Sequence, residues 1–149
     1  MDDARNIPPA RLALGGWDEL GAHAQAVRTA VFVVEQAVPP ELELDEHDAV
    51  SIHAVAYDGA GRPIGTGRLL PDGHVGRMAV LREARGRGVG SRILLALAGR
   101  ARELGYPLLA LNAQTHAVGF YERHGFVAEG PEFLDAGIPH RLMTLPLAG

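Results

Sequence analysis

The stretch that most limits what this chain can become runs from Val75 to Glu103. An apolar run holding Val75, Met78, Ala79, Val80 and Leu81 leads into Arg82-Glu83-Ala84-Arg85-Gly86-Arg87-Gly88-Val89-Gly90. From Ser91 a helical pattern begins, with Ile93, Leu94, Leu97, Ala101 and Leu104 at spacings of three and four. Strand, basic glycine loop and helix, in that order, make a cradle for an anion. The glycines let backbone N–H groups come close to a phosphate, and the helix start turns the positive end of its dipole towards it. Arg82, Arg85 and Arg87 add forked donors suited to phosphate oxygens. The segment therefore predicts a site for a phosphate-bearing cofactor. It is not a nucleotide P-loop, which needs Gly-Lys-Ser/Thr at the helix start, nor the Gly-x-Gly-x-x-Gly dinucleotide fingerprint.

The rest of the chain reads as one mixed α/β domain over residues 1–149. Residues 1 to 10 form an irregular lead-in, with Pro8-Pro9 opposing helix. A short strand over Arg11 to Leu14 precedes a helix capped by Asp18, which carries Leu20, Ala24, Val27, Val31 and Val34 and ends near Gln36. The acidic segment from Glu41 to Asp48 (Glu41, Glu43, Asp45, Glu46, Asp48) reads as a solvated loop, in which like charges repel, or as a lure for a cationic amine. Strands over Ser51 to Tyr57 and Pro63 to Leu70 are joined by the turn Asp58-Gly59-Ala60-Gly61. The strand entering the glycine loop is then third in an antiparallel run. After the central helix come Gly105 as a C-cap and Leu108 to Leu111 as a strand buried on both faces. A short helix capped by Thr115 runs through His124. Two last strands, Phe126 to Glu129 and Arg141 to Leu147, are joined by a loop from Gly130 to Pro139.

Composition narrows the function. A net charge of -4 argues against nucleic acid as the main partner. No apolar run approaches the ~20 residues that span a bilayer, and the acidic start does not look secretory, so no membrane role and a cytoplasmic setting are expected. Without cysteine there is no thiolate metal site or thiol nucleophile, and the seven histidines form no tight pair, so no metal is expected.

Arg85-x-x-Gly88-x-Gly90, after a strand ending in Met78-Ala79-Val80, resembles the acetyl-CoA site of the GNAT acetyltransferases. Asn112-Ala113-Gln114, Ala117, Phe120-Tyr121-Glu122 and Gly125-Phe126 are similar to the family's next strand and helix, where a tyrosine lies beside the cofactor sulfur. Val31-Phe32-Val33-Val34-Glu35-Gln36 and Gly137-Ile138-Pro139-His140 resemble the ElaA/YjcF-type branch. These blocks cover most of residues 25 to 145 in the expected order. The resemblance implies a mainly antiparallel sheet, splayed between the strand before the glycine loop and Leu108 to Leu111. It implies acetyl-CoA as co-substrate, held by Met78, Ala79, Val80, by Arg85, Gly86, Arg87, Gly88, Val89, Gly90 and Ser91, and by Asn112, Ala117, Phe120 and Tyr121. The reaction implied is N-acetylation of a primary amine of a small molecule or peptide.

Transfer to an amine needs a polarised carbonyl, an anchored diphosphate, a proton for the leaving thiolate and removal of a proton from the amine. A bulge around Ala79 and Val80 would supply N–H donors. Tyr121, a phenol, is the expected acid. For the base, Glu35, the acidic segment, Glu132, Asp135, His53 and His140 all stay open, with His140 preferred because imidazole titrates near neutral pH. Proximity alone would also serve. Glu35, Gln36 and His53 are the residues expected to face the acceptor. The rival of another class is a non-catalytic acyl-CoA sensor, and a weaker one is a nucleotide binder. C-terminal edge strands leave a homodimer open.

Overall fold

Four strands hydrogen-bond in the order β1-β2-β3-β4, antiparallel throughout: β1 (Arg11–Gly15), β2 (Ile52–Tyr57), β3 (Pro63–Leu69) and β4 (Val75–Val80). A second antiparallel sheet has the order β5-β7-β6, from β5 (Leu108–Gln114), β6 (Val127–Asp135) and β7 (Ile138–Pro146). The helices are α1 (Trp17–Arg28), α2 (Pro40–Glu43), α3 (Val89–Glu103) and α4 (Val118–Glu122). This computed structural model describes residues 10–147. The expected irregular lead-in therefore lies outside the described residues, apart from Ala10, whose N–H donates to the Tyr57 carbonyl at 3.0 Å.

Strand β2 alternates between two packed faces, which is why it is buried almost throughout. Val55 and Tyr57 meet Leu20 and Ala24 of α1, while Ala54 and Ala56 join the larger core with Ile93, Leu97 and Ala101 of α3. The Asp58 side chain closes the β2–β3 turn by accepting from the N–H groups of Ala60 and Arg62, both at 2.9 Å. The two sheets touch at one parallel bridge, His74 to Ala110, where the Ala110 N–H donates to the Gly73 carbonyl at 3.1 Å. Gly73 is needed there. Its φ is +94°, and a Cβ would stand 2.6 Å from the Leu108 carbonyl oxygen. Beyond that bridge β4 and β5 share no ladder, which is the splay expected from the sequence.

Several local readings are corrected by packing. Asp18 is not the cap of α1. Gly16 occupies that position and Asp18 lies in the first turn. The helix reaches Gln36 as expected, but residues Thr29–Glu35 widen into a π-helix. Thr115 does not cap α4; its hydroxyl donates to Glu132 at 3.2 Å and a 3-10 turn, Thr115–Ala117, intervenes. Strand β5 is not buried on both faces, because one side borders the split: Leu109, Leu111 and Ala113 are buried, whereas Leu108 and Asn112 are exposed. The long loop expected at Gly130 to Pro139 is a hairpin. Gly130-Pro131-Glu132 bulge out of the ladder between Glu129 and Phe133, and pairing then resumes up to Asp135 and Ile138.

The largest correction concerns the acidic segment, in which Glu41 and Glu46 are exposed as expected but Glu43, Asp45 and Asp48 are drawn inwards. Glu43 and Asp48 are each 3% exposed. Arg28 of α1, only 1% exposed, binds the Glu43 carboxylate through Nε and Asp48 through Nη1 and Nη2 at 2.8 and 3.1 Å. Arg68 of β3 adds Asp45 at 2.7 and 2.9 Å and Asp48 at 2.9 Å. Asp48 also closes a capping box with Asp45 at the head of the 3-10 turn Glu46–Val50. Carboxylates buried among guanidinium groups are structural counter-charges, so they do not form the lure for a cation that the sequence offered as a second reading.

Candidate active site

Where β4 and β5 part, a cleft of about 410 Å³ opens, within the range of small-ligand sites. Met78 lines one wall, Asn112 and Gln114 of β5 the other, and Tyr121, Ala117 and His140 also face it. A bulge in β4 shapes the first wall. Thr66 pairs with Ala79 and Arg68 with Gly76, so Arg77 and Met78 together oppose Gly67, and Arg77 takes a φ of +50°. The bulge thus lies at Arg77–Met78, not at Ala79 and Val80, which keep their partners Thr66 and Gly65. The π-helical widening turns Phe32 and Gln36 into the cleft mouth. The side-chain amides of Gln36 and Gln114 pair across it, Gln114 Nε2 donating to Gln36 Oε1 at 2.9 Å.

The glycine loop ends in Gly88, the N-cap of α3, at φ +81°. The N–H groups of Gly86, Gly88, Val89, Gly90 and Ser91 meet no acceptor among the described residues. Five donors converging on a helix start suit a diphosphate. The arginines are arranged otherwise than the sequence suggests. Arg85 lays its fork on the Glu35 carboxylate, at 2.7 Å for both bonds, and donates from Nε to the Val80 carbonyl at 2.9 Å. That forked hydrogen bond holds the Glu35 carboxyl below its usual range. Arg82 stands 3.6 Å from Glu35, and Arg87 donates to the Glu83 carbonyl. Ser91 Oγ is 2.9 Å from His124 Nε2.

Helix α4 brings Tyr121 to the cleft from the α3 side. A Cβ on Gly90 would contact the Phe120 ring at 3.4 Å, and that ring meets Tyr121 edge-on at 5.0 Å between centroids. Tyr121 is 8% exposed, and its hydroxyl has no hydrogen-bond partner among the described residues. Burial pushes its pKa up to about 12. His140, 8% exposed in β7, donates from Nδ1 to the Ile138 carbonyl at 2.6 Å, because a carbonyl can only accept. Nε2 of the neutral ring is then the basic nitrogen. Phe133 stacks on the ring at 6.0 Å and 24°.

The acetyltransferase (GNAT) domain family matches residues 20–147. The chain belongs to that family. The uncharacterised N-acetyltransferase YjcF of Bacillus subtilis is 49% identical over 121 residues, covering 78% of this chain and 86% of YjcF. An acyl-CoA N-acyltransferase from Pseudomonas aeruginosa superposes with a TM-score of 0.78 at 32% identity, covering 90% of this chain and 97% of the other. Escherichia coli ElaA shares the fold, with a TM-score of 0.81 at 24% identity over 90% of this chain and 98% of its own. The protein is thus a GNAT enzyme of the acyl-CoA N-acyltransferase kind, and the non-catalytic sensor reading falls away. No helix among the described residues is long and apolar enough to cross a membrane.

The fold of this GNAT enzyme gathers six of the residues picked from the sequence around the cleft, while Ala79, Val80, Phe120 and the loop residues Arg85, Gly86, Arg87, Gly88, Val89, Gly90 and Ser91 do not line it. Gln36, Met78, Asn112, Ala117, Tyr121 and His140 line one cleft. Glu35 does not line it and instead clamps Arg85. His53 is 1% exposed beneath Trp17, with Nε2 2.9 Å from the Asp48 carbonyl; burial lowers its pKa, and it is absent from the cleft lining. Sequence reasoning missed Arg68 and Arg77, which do line the cleft. An arginine inside a strand pattern otherwise rich in glycine and apolar residues was the available signal.

Replacing Gly88 with leucine tests the loop. A Cβ there meets nothing within 4 Å, so the fold has room, although φ +81° costs a side chain about 1–2 kcal/mol. The leucine would cover the bare amides. Calorimetric affinity for CoA should fall about 100-fold, roughly 2.7 kcal/mol, with circular dichroism retained. Undiminished affinity would move the diphosphate elsewhere.

Proposed function

We propose that this enzyme moves the acetyl group of acetyl-CoA to a primary amine of a small molecule or peptide. The supporting observations are the set of bare amides at the head of α3 and a cleft-lining Tyr121 whose hydroxyl has no partner among the described residues. In this reading the N–H groups of Gly86, Gly88, Val89, Gly90 and Ser91 hold the diphosphate. Met78, Ala79 and Val80 flank the pantetheine arm from β4, and Asn112, Ala117 and Phe120 from the other side. Tyr121 gives its proton to the departing sulfur as the carbon–sulfur bond breaks. His140 Nε2 takes the amine proton, directly or through a water, as the carbon–nitrogen bond forms. The products are the amide and free CoA thiol. Arg85 and Arg87 shape the loop: Arg85 through its hold on Glu35 and Val80, Arg87 through the Glu83 carbonyl.

The test is free thiol released from acetyl-CoA with a pool of amines present. Amine-dependent release is expected, and CoA binding without release would sink the reading. His140→Gln should lower kcat/KM about 100-fold near neutral pH, the lower end of general-base contributions. Undiminished kcat/KM in that variant would return the base to water or to Asp135.

A further inference from the structure

We propose that the acceptor is a diamine: one nitrogen reacts at His140 while the other, still protonated, is held by Asp135 at the tip of the β6–β7 hairpin. Which nitrogen reacts rests on the acyltransferase reading above; the cationic seat itself does not.

Asp135 is the one carboxylate in the cleft lining, exposed at its rim. No hydrogen bond or ion pair engages its side chain among the described residues. Its place is set by the ladder. Asp135 pairs with Ile138 on the last rung, and the turn beyond, Ala136-Gly137, closes in two residues with φ of +52° and +78°. A turn that tight fixes the direction in which the flanking side chains leave the hairpin. Two rungs further in, Phe133 pairs with His140. Residues two apart on a strand share a face, so Asp135, Ile138 and His140 all meet the cleft, and the two rungs lie roughly 7 Å apart along the hairpin.

Charge on the other walls is balanced. Arg68 and Arg77 line the β3–β4 side, but together with Arg28 they are three cations set among three anions, Glu43, Asp45 and Asp48. His74, also in the lining, has Nδ1 3.0 Å from Asp72. The charge left uncompensated at the cleft is therefore the negative one of Asp135. Ile138 shares its rung, and Phe32, Val38 and Leu70 add further apolar surface to the lining. A short methylene chain suits such walls. Once donor and acceptor fill the cleft, Asp135 loses water, and an ammonium group offsets that loss where a neutral group would not. A carboxylate at the far end of the acceptor would be repelled.

Three acceptors of one length that differ only in the far group test the seat: 1,4-diaminobutane, 4-amino-1-butanol and 4-aminobutanoate. In thiol release from acetyl-CoA, kcat/KM for the diamine should exceed that for the alcohol by about fivefold, the upper range for an ion pair at an exposed rim, with 4-aminobutanoate lowest. Equal rates for the diamine and the alcohol, or a preference for 4-aminobutanoate, overturn the seat while leaving acyl transfer intact. Calorimetric titration of the same three into CoA-saturated enzyme reads binding without turnover. Tighter binding of the diamine without thiol release would uphold the seat and refute the transfer reading, whereas no preference in either readout overturns the seat. Asp135→Asn should raise KM for the diamine about fivefold, hold kcat and bring diamine and alcohol to parity, with Asp135→Glu recovering part of the preference. A fall in kcat for both amines would make Asp135 the base and overturn its role as the seat.

Discussion

Tyr121→Phe should slow turnover about 1000-fold, some 4 kcal/mol in the barrier, while affinity for acetyl-CoA changes less than about threefold. The thiolate leaving from the donor needs a proton, and a buried phenol with its pKa pushed up to about 12 keeps that proton across the working pH range. The substitution also separates catalysis from packing. The hydroxyl has no partner among the described residues, so its loss orphans no other polar group. Thermal stability should therefore hold or rise slightly. Stopped-flow thiol release alongside calorimetry reads both quantities. Turnover within about threefold of wild type would take Tyr121 out of the chemistry, and a large fall in stability would recast it as a packing residue.

Arg28→Met should destabilise the fold by about 3–5 kcal/mol, measured by denaturant unfolding. Glu43 and Asp48, each 3% exposed, would lose the cation that balances them, and a domain of this size has only about 5–15 kcal/mol in hand. Burial pushes the Asp48 carboxyl up, but hydrogen bonds and charge from Arg28 and Arg68 outweigh it and leave the pKa below the usual value. At Asp45 the hydrogen bond from Arg68 leads, and the pKa falls from 3.8 to about 2. A depressed folded-state pKa stabilises above the unfolded value and is lost as pH falls through the folded one. Wild type should thus lose stability as the pH drops from 3.8 towards about 2. A cost below about 1 kcal/mol for Arg28→Met would mean the carboxylates are hydrated after all.

The two predictions rest on parts of the chain with different legibility. The strand, glycine loop and helix from Val75 to Glu103 were readable because glycine placement and periodicity within consecutive residues set them. Tyr121 was readable only through the resemblance, since its position within α4 would equally suit a half-buried packing residue. The acidic segment was misread, because local charge pattern says nothing of Arg28, 15 residues before Glu43, or Arg68, 20 beyond Asp48. The final hairpin was misread for a related reason. Gly130-Pro131 and Gly137 look like breakers in isolation, yet a three-residue bulge absorbs the first pair and the β7 ladder carries pairing past it. Arg85 was placed on phosphate by its neighbourhood in sequence, whereas Glu35, 50 residues earlier, takes its fork.

By itself, the sequence determined the basic glycine loop and the helix behind it, the order of strands and helices around them, and the family to which they belong. Each of these depends on backbone conformation and on periodicity within a few residues. Tertiary structure alone decided which charges are buried together, where β4 bulges, and that Arg68 and Arg77 rather than acidic groups face the cleft from β3 and β4. Electrostatic free energy depends on distance and burial through space, and neither is written in the spacing of residues along a chain.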